Sequence, residues 1–357
     1  MKLGLVGYGF GGRIFHTPFI QAASGIELAG VVARSTDKIA QVVADLPGVP
    51  VFTNLAKMID AGGCDAVTIT TPPATHLQLA LQAIDEGLHV ICDKPFAPTL
   101  RAAAQLVAAA NEKGVVLNVF QNRRRDTDIV TLAALIENGD LGQVQRIHNR
   151  MDFNQIQALE RGPTGGLLRD IGSHLVDQML WLFGPAVSFN AQVFTLDLPE
   201  GLTDSGFVIH LRHVNGAESF SSATKTNHLD AREIRVYGGK GAYVVQGSDV
   251  QAREAIAGKR PIDDPFNWGQ ESESAWGTLH VEDGVRRVPS LRSNYSDFYT
   301  EFARAVAVGS SGPVPARQSL RTVEVLDAAR LAASNGQTVL LNPIIQQTDT
   351  SVDWRTL

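Results

Sequence analysis

The chain has 357 residues, enough for two ordinary domains, and its 44% apolar and 19% charged residues are those of a globular protein with sizeable cores. A formal net charge of -6 argues against nucleic acid or an anionic membrane as the main partner, and only Arg123-Arg124-Arg125 runs the other way. The two cysteines, Cys64 and Cys92, lie in or beside apolar runs, which suits buried thiols in a reducing compartment rather than a disulfide or metal site.

The amino terminus is apolar but is broken by Gly7, Gly9, Gly11 and Gly12, so neither a signal peptide nor a membrane span is expected, and the compartment expected is the cytoplasm. Leu3 to Val6 predicts a short buried strand, followed by the glycines and a helix over Arg13 to Ala23. Leu28 to Ala33 predicts a second strand, and Ser35 or Thr36 can cap a helix over Asp37 to Leu46. Val67 to Ile69 and Val90 to Cys92 predict further buried strands around a helix at His76 to Glu86. Thr99 can cap the next helix, which runs through Lys113 and stops at Gly114, and Val115 to Phe120 is counted as the sixth strand. Short apolar runs alternating with amphipathic helices predict an α/β domain over 1–120: a doubly wound parallel sheet of Rossmann type.

The pattern changes near Gln121. Helices are predicted over Asp128 to Asn138 and over Leu168 to Phe183, the latter ended by Gly184-Pro185. Alternating stretches follow at Ser188 to Leu196, Phe207 to His213, Glu218 to Thr224, Glu233 to Tyr237 and Gly241 to Gln246, and suit an antiparallel sheet. Phe298 to Val308 and Leu320 to Ala333 return to helix. The expectation for 121–342 is an α+β domain with a largely antiparallel, open-faced sheet, its late helices able to pack back on the first domain. That sheet is a candidate interface for a homodimer or homotetramer. A polar tail, 343–357, is expected to be poorly ordered.

Gly7-Tyr8-Gly9-Phe10-Gly11-Gly12 fits G-x-G-x-x-G with one extra glycine, and it lies between a predicted strand and a predicted helix, the context that motif requires. Gly7 permits the tight turn, Gly9 lacks a side chain where a pyrophosphate must approach, and Gly12 lets helix and strand pack closely. After the second strand the sequence reads Ala33-Arg34-Ser35-Thr36, with no acid until Asp37. A guanidinium beside small hydroxyls suits a ribose 2′-phosphate, so NADP is expected, with NAD the alternative.

Asp93-Lys94-Pro95 after one strand, Asp170 with His174 on a helix, and the glycine turn together resemble the Gfo/Idh/MocA family of nicotinamide-dependent oxidoreductases. "GYGFGGRIFHTPFI", "FQNRRRDTD" and "DDPFNWGQE" look most like its NADP-dependent scyllo-inositol dehydrogenase branch. The resemblance covers nearly the whole chain. It implies hydride transfer between the nicotinamide and a secondary alcohol or ketone of an inositol, polyol or sugar. The residues themselves suit that chemistry. Asp170 and His174, at i and i+4, share a helix face, and Lys94 follows a parallel strand at the end where open α/β sheets bind ligands.

His174 is the expected acid/base, Lys94 the group that stabilises the alkoxide with a possible share in proton transfer, and Asp170 a partner for a neighbouring hydroxyl or for the imidazole. Thr71-Pro72-Pro73 resembles the family's loop over the nicotinamide ribose, with His76 supporting it, and Asp93 and Lys94 close the cofactor set. Relatives have a cis peptide at the position of Pro95. Asn122, Arg123 and Arg124 are candidate substrate contacts, although the two arginines can equally pair with Asp126 and Asp128. His16 is expected to pack near the glycine turn. The stretch "DFNQIQALERGPTG", Asp152 to Gly165, lacks the Arg- and Trp-rich character associated with the closest branch, which keeps sugars open as substrates. A non-catalytic NADP-binding sensor and a reductase of a non-carbohydrate ligand are the competing readings.

Overall fold

The computed structural model describes residues 1–162, 165–247, 249–335 and 339–340. They form two compact units. The first takes Met1–Asn122, Gln251–Trp268 and Asn294–Leu320; the second takes Arg123–Val250, Gly269–Ser293 and the chain from Arg321. The tail expected over 343–357 lies outside the described residues.

The first unit is built on six parallel strands: β1 Lys2–Val6, β2 Glu27–Val32, β3 Val51–Phe52, β4 Ala66–Ile69, β5 His89–Cys92 and β6 Leu117–Val119. Their order, β3-β2-β1-β4-β5-β6, is that of a doubly wound dinucleotide-binding sheet. All neighbours pair in parallel, and consecutive residues such as Val67, Thr68 and Ile69 or Val90, Ile91 and Cys92 are buried, so both faces of the sheet are covered. β3 is two residues long, too short for any periodicity to reveal.

The predicted cap at Thr99 is present, its hydroxyl accepting from Ala102 N, and Gly114 closes that helix at φ 67°. The predicted helix over Arg13 to Ala23 is not regular. A wide turn, Gly11–His16, precedes a short α-helix, Thr17–Ala22, and Thr17 N–H reaches back five residues to Gly12 O. Pro18 explains the widening, because it has no N–H to give and its ring would strike the carbonyl four residues back in a regular helix. The two later segments of this unit join the core through aromatic contacts. Phe19 meets Trp268 at 5.7 Å and Tyr295 at 5.2 Å between ring centroids.

The second unit carries a nine-stranded sheet, among the described residues, in the order β14-β13-β12-β11-β7-β10-β9-β8-β15. Its strands are β7 Val144–Asp152, β8 Ala186–Leu198, β9 Gly201–His213, β10 Glu218–Thr224, β11 Ala231–Gly238, β12 Gly241–Val245, β13 Gly277–Val281, β14 Gly284–Val288 and β15 Val339–Leu340. All neighbours are antiparallel except β7 with β10. One face is covered by the helix Ser173–Phe183, whose Leu175, Val176, Met179 and Leu182 are buried with Ile147, Phe207 and Ile234 of the sheet.

The expected single helix over Leu168 to Phe183 starts as a wide turn, Leu168–Gly172, before Ser173. Its entry is pinned by Asp204 on β9. That carboxylate accepts from Leu168 N at 2.5 Å and lies so close to Gly166 that any Cβ there would collide with it. The far end is pinned as well. His213 on β9 places Nδ1 2.8 Å from Gly184 O and Nε2 2.8 Å from Ser219 Oγ, so Nδ1–H donates to the carbonyl and Nε2 accepts from the hydroxyl.

That arrangement needs a neutral ring, and burial pushes the His213 pKa down to about 4, with the Gly184 carbonyl opposing and His210 reinforcing the shift. A histidine depressed on folding contributes stability that is full above its unfolded pKa and lost as pH falls through its folded pKa. The unfolding free energy is therefore expected to fall as pH is lowered from 6.5 to 4, by about 3 kcal/mol from this ring alone. His213→Gln, which keeps a donor and an acceptor but cannot titrate, should flatten that slope in urea titrations. An unchanged slope would show that the ring is not the responsible group.

Candidate active site

The glycine turn opens at the C-terminal end of β1, beside β4, where the strand order reverses and open α/β sheets bind ligands. Its three key glycines are demanded by different things. Gly7 has φ 110°, and a Cβ there would lie 2.9 Å from Thr70 O. A Cβ on Gly12 would lie 2.4 Å from Gly7 O, so strand and helix meet at backbone distance. Gly9 has neither constraint: nothing lies within 4 Å of its Cβ position. The fold itself does not need glycine at position 9. A phosphate approaching the backbone does, and that fits a dinucleotide.

The other members of the motif divide. Phe10 is exposed and packs edge-on to Phe15. Tyr8, expected among the cofactor contacts, turns inward: its side chain is buried and its hydroxyl donates to Asp45, which also pairs with Arg13 at 2.6 Å. Only the Tyr8 backbone can serve a ligand. Arg34 stands exposed just past β2. Ser35 accepts from Lys38 N at 3.4 Å as the helix cap, which leaves its hydroxyl proton to donate elsewhere.

Beneath the turn lies a buried polar brace that the sequence did not reveal. His16 is fully buried, with Nδ1 2.5 Å from Tyr299 Oη and Nε2 3.0 Å from Asp93 Oδ2. Asp93 Oδ2 also accepts from Thr70 Oγ1, and Oδ1 accepts from Lys94 N at 2.7 Å. Burial alone raises the Asp93 carboxyl, but His16, then Lys94 and His76, outweigh it and hold its pKa down at about 2. The Lys94-Pro95 peptide is cis. His76, proposed from sequence as a cofactor neighbour, is fully buried, and its ring spans two loops: Nε2 is 2.8 Å from Thr71 O and Nδ1 is 3.1 Å from Pro95 O. The ring thus ties the Thr71-Pro72-Pro73 loop to the segment carrying Lys94.

In the second unit Asp170 lies in the wide turn, and His174, nearly buried, opens the α-helix four residues on. A further residue joins them. Lys225, buried at the end of β10, donates to Asp170 Oδ2 at 2.9 Å and to Ala158 O at 3.0 Å. No periodicity marks this lysine in the sequence.

Arg123 and Arg124, candidate substrate contacts from the sequence, are both engaged in ion pairs, the alternative that the sequence left open. Arg124 is buried and makes a two-pronged pair with Asp177, at 2.7 and 2.8 Å. Arg123 pairs with Asp126 and Asp249, and its carbonyl accepts from Gln178. Asp128 is taken by Arg232 rather than by the run. Asp177 and Gln178 sit on the helix of His174, so Arg123 and Arg124 bolt that helix in place. Asn122 is buried just past β6. Among the described residues, no group of His, Cys, Asp or Glu side chains is placed to hold a metal ion, and no helix is long and apolar enough to cross a membrane.

Comparison with known proteins agrees with this geometry. The model described as an oxidoreductase family with an NAD-binding Rossmann fold matches residues 1–121, and the GFO/IDH/MocA C-terminal domain model matches residues 129–244. The oxidoreductase YdgJ of Escherichia coli is 32% identical over 96% of this chain and 99% of its own length. The chain belongs to the Gfo/Idh/MocA family of oxidoreductases. Another relative, the scyllo-inositol 2-dehydrogenase (NADP(+)) IolW of Bacillus subtilis, is 28% identical over 96% of both chains. The solved structure of YvaA from Bacillus subtilis superposes with a TM-score of 0.87 at 26% identity, over 96% of this chain and 100% of that one.

For this Gfo/Idh/MocA protein the glycines give a direct test. Gly9→Ala should leave the unfolding midpoint near wild type while weakening dinucleotide binding at least tenfold in a fluorescence titration. Gly12→Ala should lower both, because its methyl meets backbone. Equal dinucleotide affinity for Gly9→Ala and wild type would place the phosphates elsewhere.

Proposed function

We propose that the chain is an NADP(H)-dependent dehydrogenase or reductase acting on a secondary hydroxyl or ketone of an inositol, polyol or sugar. The observation that carries this reading is the joint presence of a glycine turn left open at Gly9, Lys94 beside β5 and the Asp170/His174 pair at one helix start. Near full-length similarity to an NADP-dependent scyllo-inositol dehydrogenase supports it and makes scyllo-inositol the first substrate to try.

Bound NADP supplies the hydride acceptor at nicotinamide C4. The amides of Gly9 to Gly12 would hold its phosphates, and Arg34 would pair with the 2′-phosphate. In the oxidative direction His174 takes the hydroxyl proton, while the Lys94 ammonium hydrogen-bonds the same oxygen and stabilises its developing negative charge. Asp170 accepts a hydrogen bond from a neighbouring hydroxyl, and Asn122 is a further candidate contact. The reading requires Lys94 and His174 to reach one substrate oxygen.

The test is cofactor reduction or oxidation over a panel of inositols, polyols, sugars and their ketones, run with both NADP(H) and NAD(H). Wild type should turn over at least one polyol pair with NADP preferred. His174→Ala should lose about 100-fold or more in kcat/KM, and Arg34→Asp should shift preference toward NAD. Tight NADP binding with no turnover across the panel would make the protein a sensor instead.

Self-association through the second sheet belongs to the same proposal. Its outer face exposes Phe194 and Val208 beside a stack in which Phe220 lies between His148 and His210, with centroid distances of 4.9 and 4.3 Å. Light scattering should find a homodimer or homotetramer, and Phe194→Asp with Val208→Asp should dissociate it. A monomeric wild type would refute this part.

A further inference from the structure

We infer that Lys225 is a positioning residue for substrate recognition, its ammonium fixing the Asp170 carboxylate and the 153–158 segment together as one hydroxyl-reading wall. The inference rests on the polyol reading above and deepens it.

Lysine is rarely buried unless its charge is matched. Lys225 is 6% exposed, and its Nζ donates to Asp170 Oδ2 at 2.9 Å and to Ala158 O at 3.0 Å, with the Phe153 ring centroid 6.0 Å away. One ammonium therefore meets two pieces of chain: the helix start that also carries His174, and the loop after β7, at both Ala158 O and the Phe153 ring. Its own backbone is held firmly. Lys225 N donates to Ser205 O at 3.0 Å, and Phe153 N donates to the preceding Thr224 O at 2.8 Å, so the loop leaves β7 already tied to β10.

A buried ion pair is a weak source of stability, since desolvation of both charges offsets most of their attraction. What such a pair gives well is geometry: a charged hydrogen bond fixes both partners more tightly than apolar packing. Here the fixed partner is the carboxylate expected to accept from a substrate hydroxyl. The loop fixed with it falls within Asp152 to Gly165, the stretch that lacks the Arg- and Trp-rich character associated with the inositol branch. Lys225 thus couples the acceptor of one hydroxyl to the loop that decides which ring substituents fit beside it. The substrate class this implies is a polyhydroxylated ring or chain with adjacent hydroxyls.

The experiment compares wild type, Lys225→Met, Asp170→Asn and the double variant, using scyllo-inositol and the best polyol from the panel, with NADP dissociation constants measured alongside. Lys225→Met should raise the polyol KM at least tenfold, with a smaller effect on kcat and no change in NADP affinity. The double variant should be no worse in KM than the worse single variant, because both remove one coupled unit. Lys225→Arg, which keeps the charge, should recover most of the KM loss. Should Lys225→Met not fold, Lys225→Gln, which keeps a donor without charge, is read the same way. A lysine serving only as a structural staple would lower the melting temperature and leave KM alone. Folded variants with KM within twofold of wild type, or multiplicative effects in the double variant, would overturn the inference while leaving the proposed function standing. A wild type that turns over no polyol would overturn both.

Discussion

The carbonyl of Gly7 and the backbone of Gly12 approach so closely that no side chain fits between them, and the nucleotide end of the molecule is organised by that approach. It brings the start of a helix against the end of β1, at the place where the sheet reverses its strand order. Free amides at a helix start carry partial positive charge, so the contact that closes the packing also creates an anion site. Gly7 makes the turn possible through its positive φ. Gly9 is different in kind, since no atom lies within 4 Å of its Cβ position and the backbone there is open to approach.

The segments that carry the candidate site residues on either unit are held by buried polar contacts rather than by packing alone. Asp93 gathers His16, Thr70 and the amide of Lys94, while His76 joins the Thr71 loop to the cis segment. On the other unit Asp204 and His213 hold the two ends of the helix of His174, and Arg124 grips Asp177 on its body. Buried polar groups of this kind are costly when left unsatisfied and rigid when complete. The molecule spends them around the two segments where an oxidoreductase must hold reacting groups to within a fraction of an ångström.

Sequence made the first unit readable because its signals are local. Five of its six strands are short apolar runs, and some helices announce themselves by a cap such as Thr99 or a stop such as Gly114. The second unit was harder. β7, the strand at the middle of its sheet, reads VQRIHNRMD, with Arg146, His148 and Arg150 on a face not packed under the helix, so only Ile147 and Met151 betray it. Two helices expected to be regular begin in wide turns: Pro18, a local signal, accounts for the first, while the entry of the second is pinned by Asp204, distant in sequence. The glycine motif, Lys94, Asp170 and His174 were legible as chemistry at known spacings. His16 with Asp93, Lys225 with Asp170, and Arg124 with Asp177 were not, because each pair is made by folding across tens of residues. Tyr8 and Arg124 are engaged by acids far along the chain, Asp45 and Asp177, whereas Arg123 takes Asp249 and also Asp126, a pairing that the sequence had offered.

The central claim is that an amine after β5 and an imidazole at the start of the helix Ser173–Phe183 act on one substrate oxygen. A crystal structure with NADP and scyllo-inositol, or the best polyol found, tests it most directly. The expected density places one hydroxyl within hydrogen-bonding distance of both Lys94 Nζ and the His174 ring, with its carbon facing nicotinamide C4. A polyol bound away from either group, with the nucleotide in place, would contradict it.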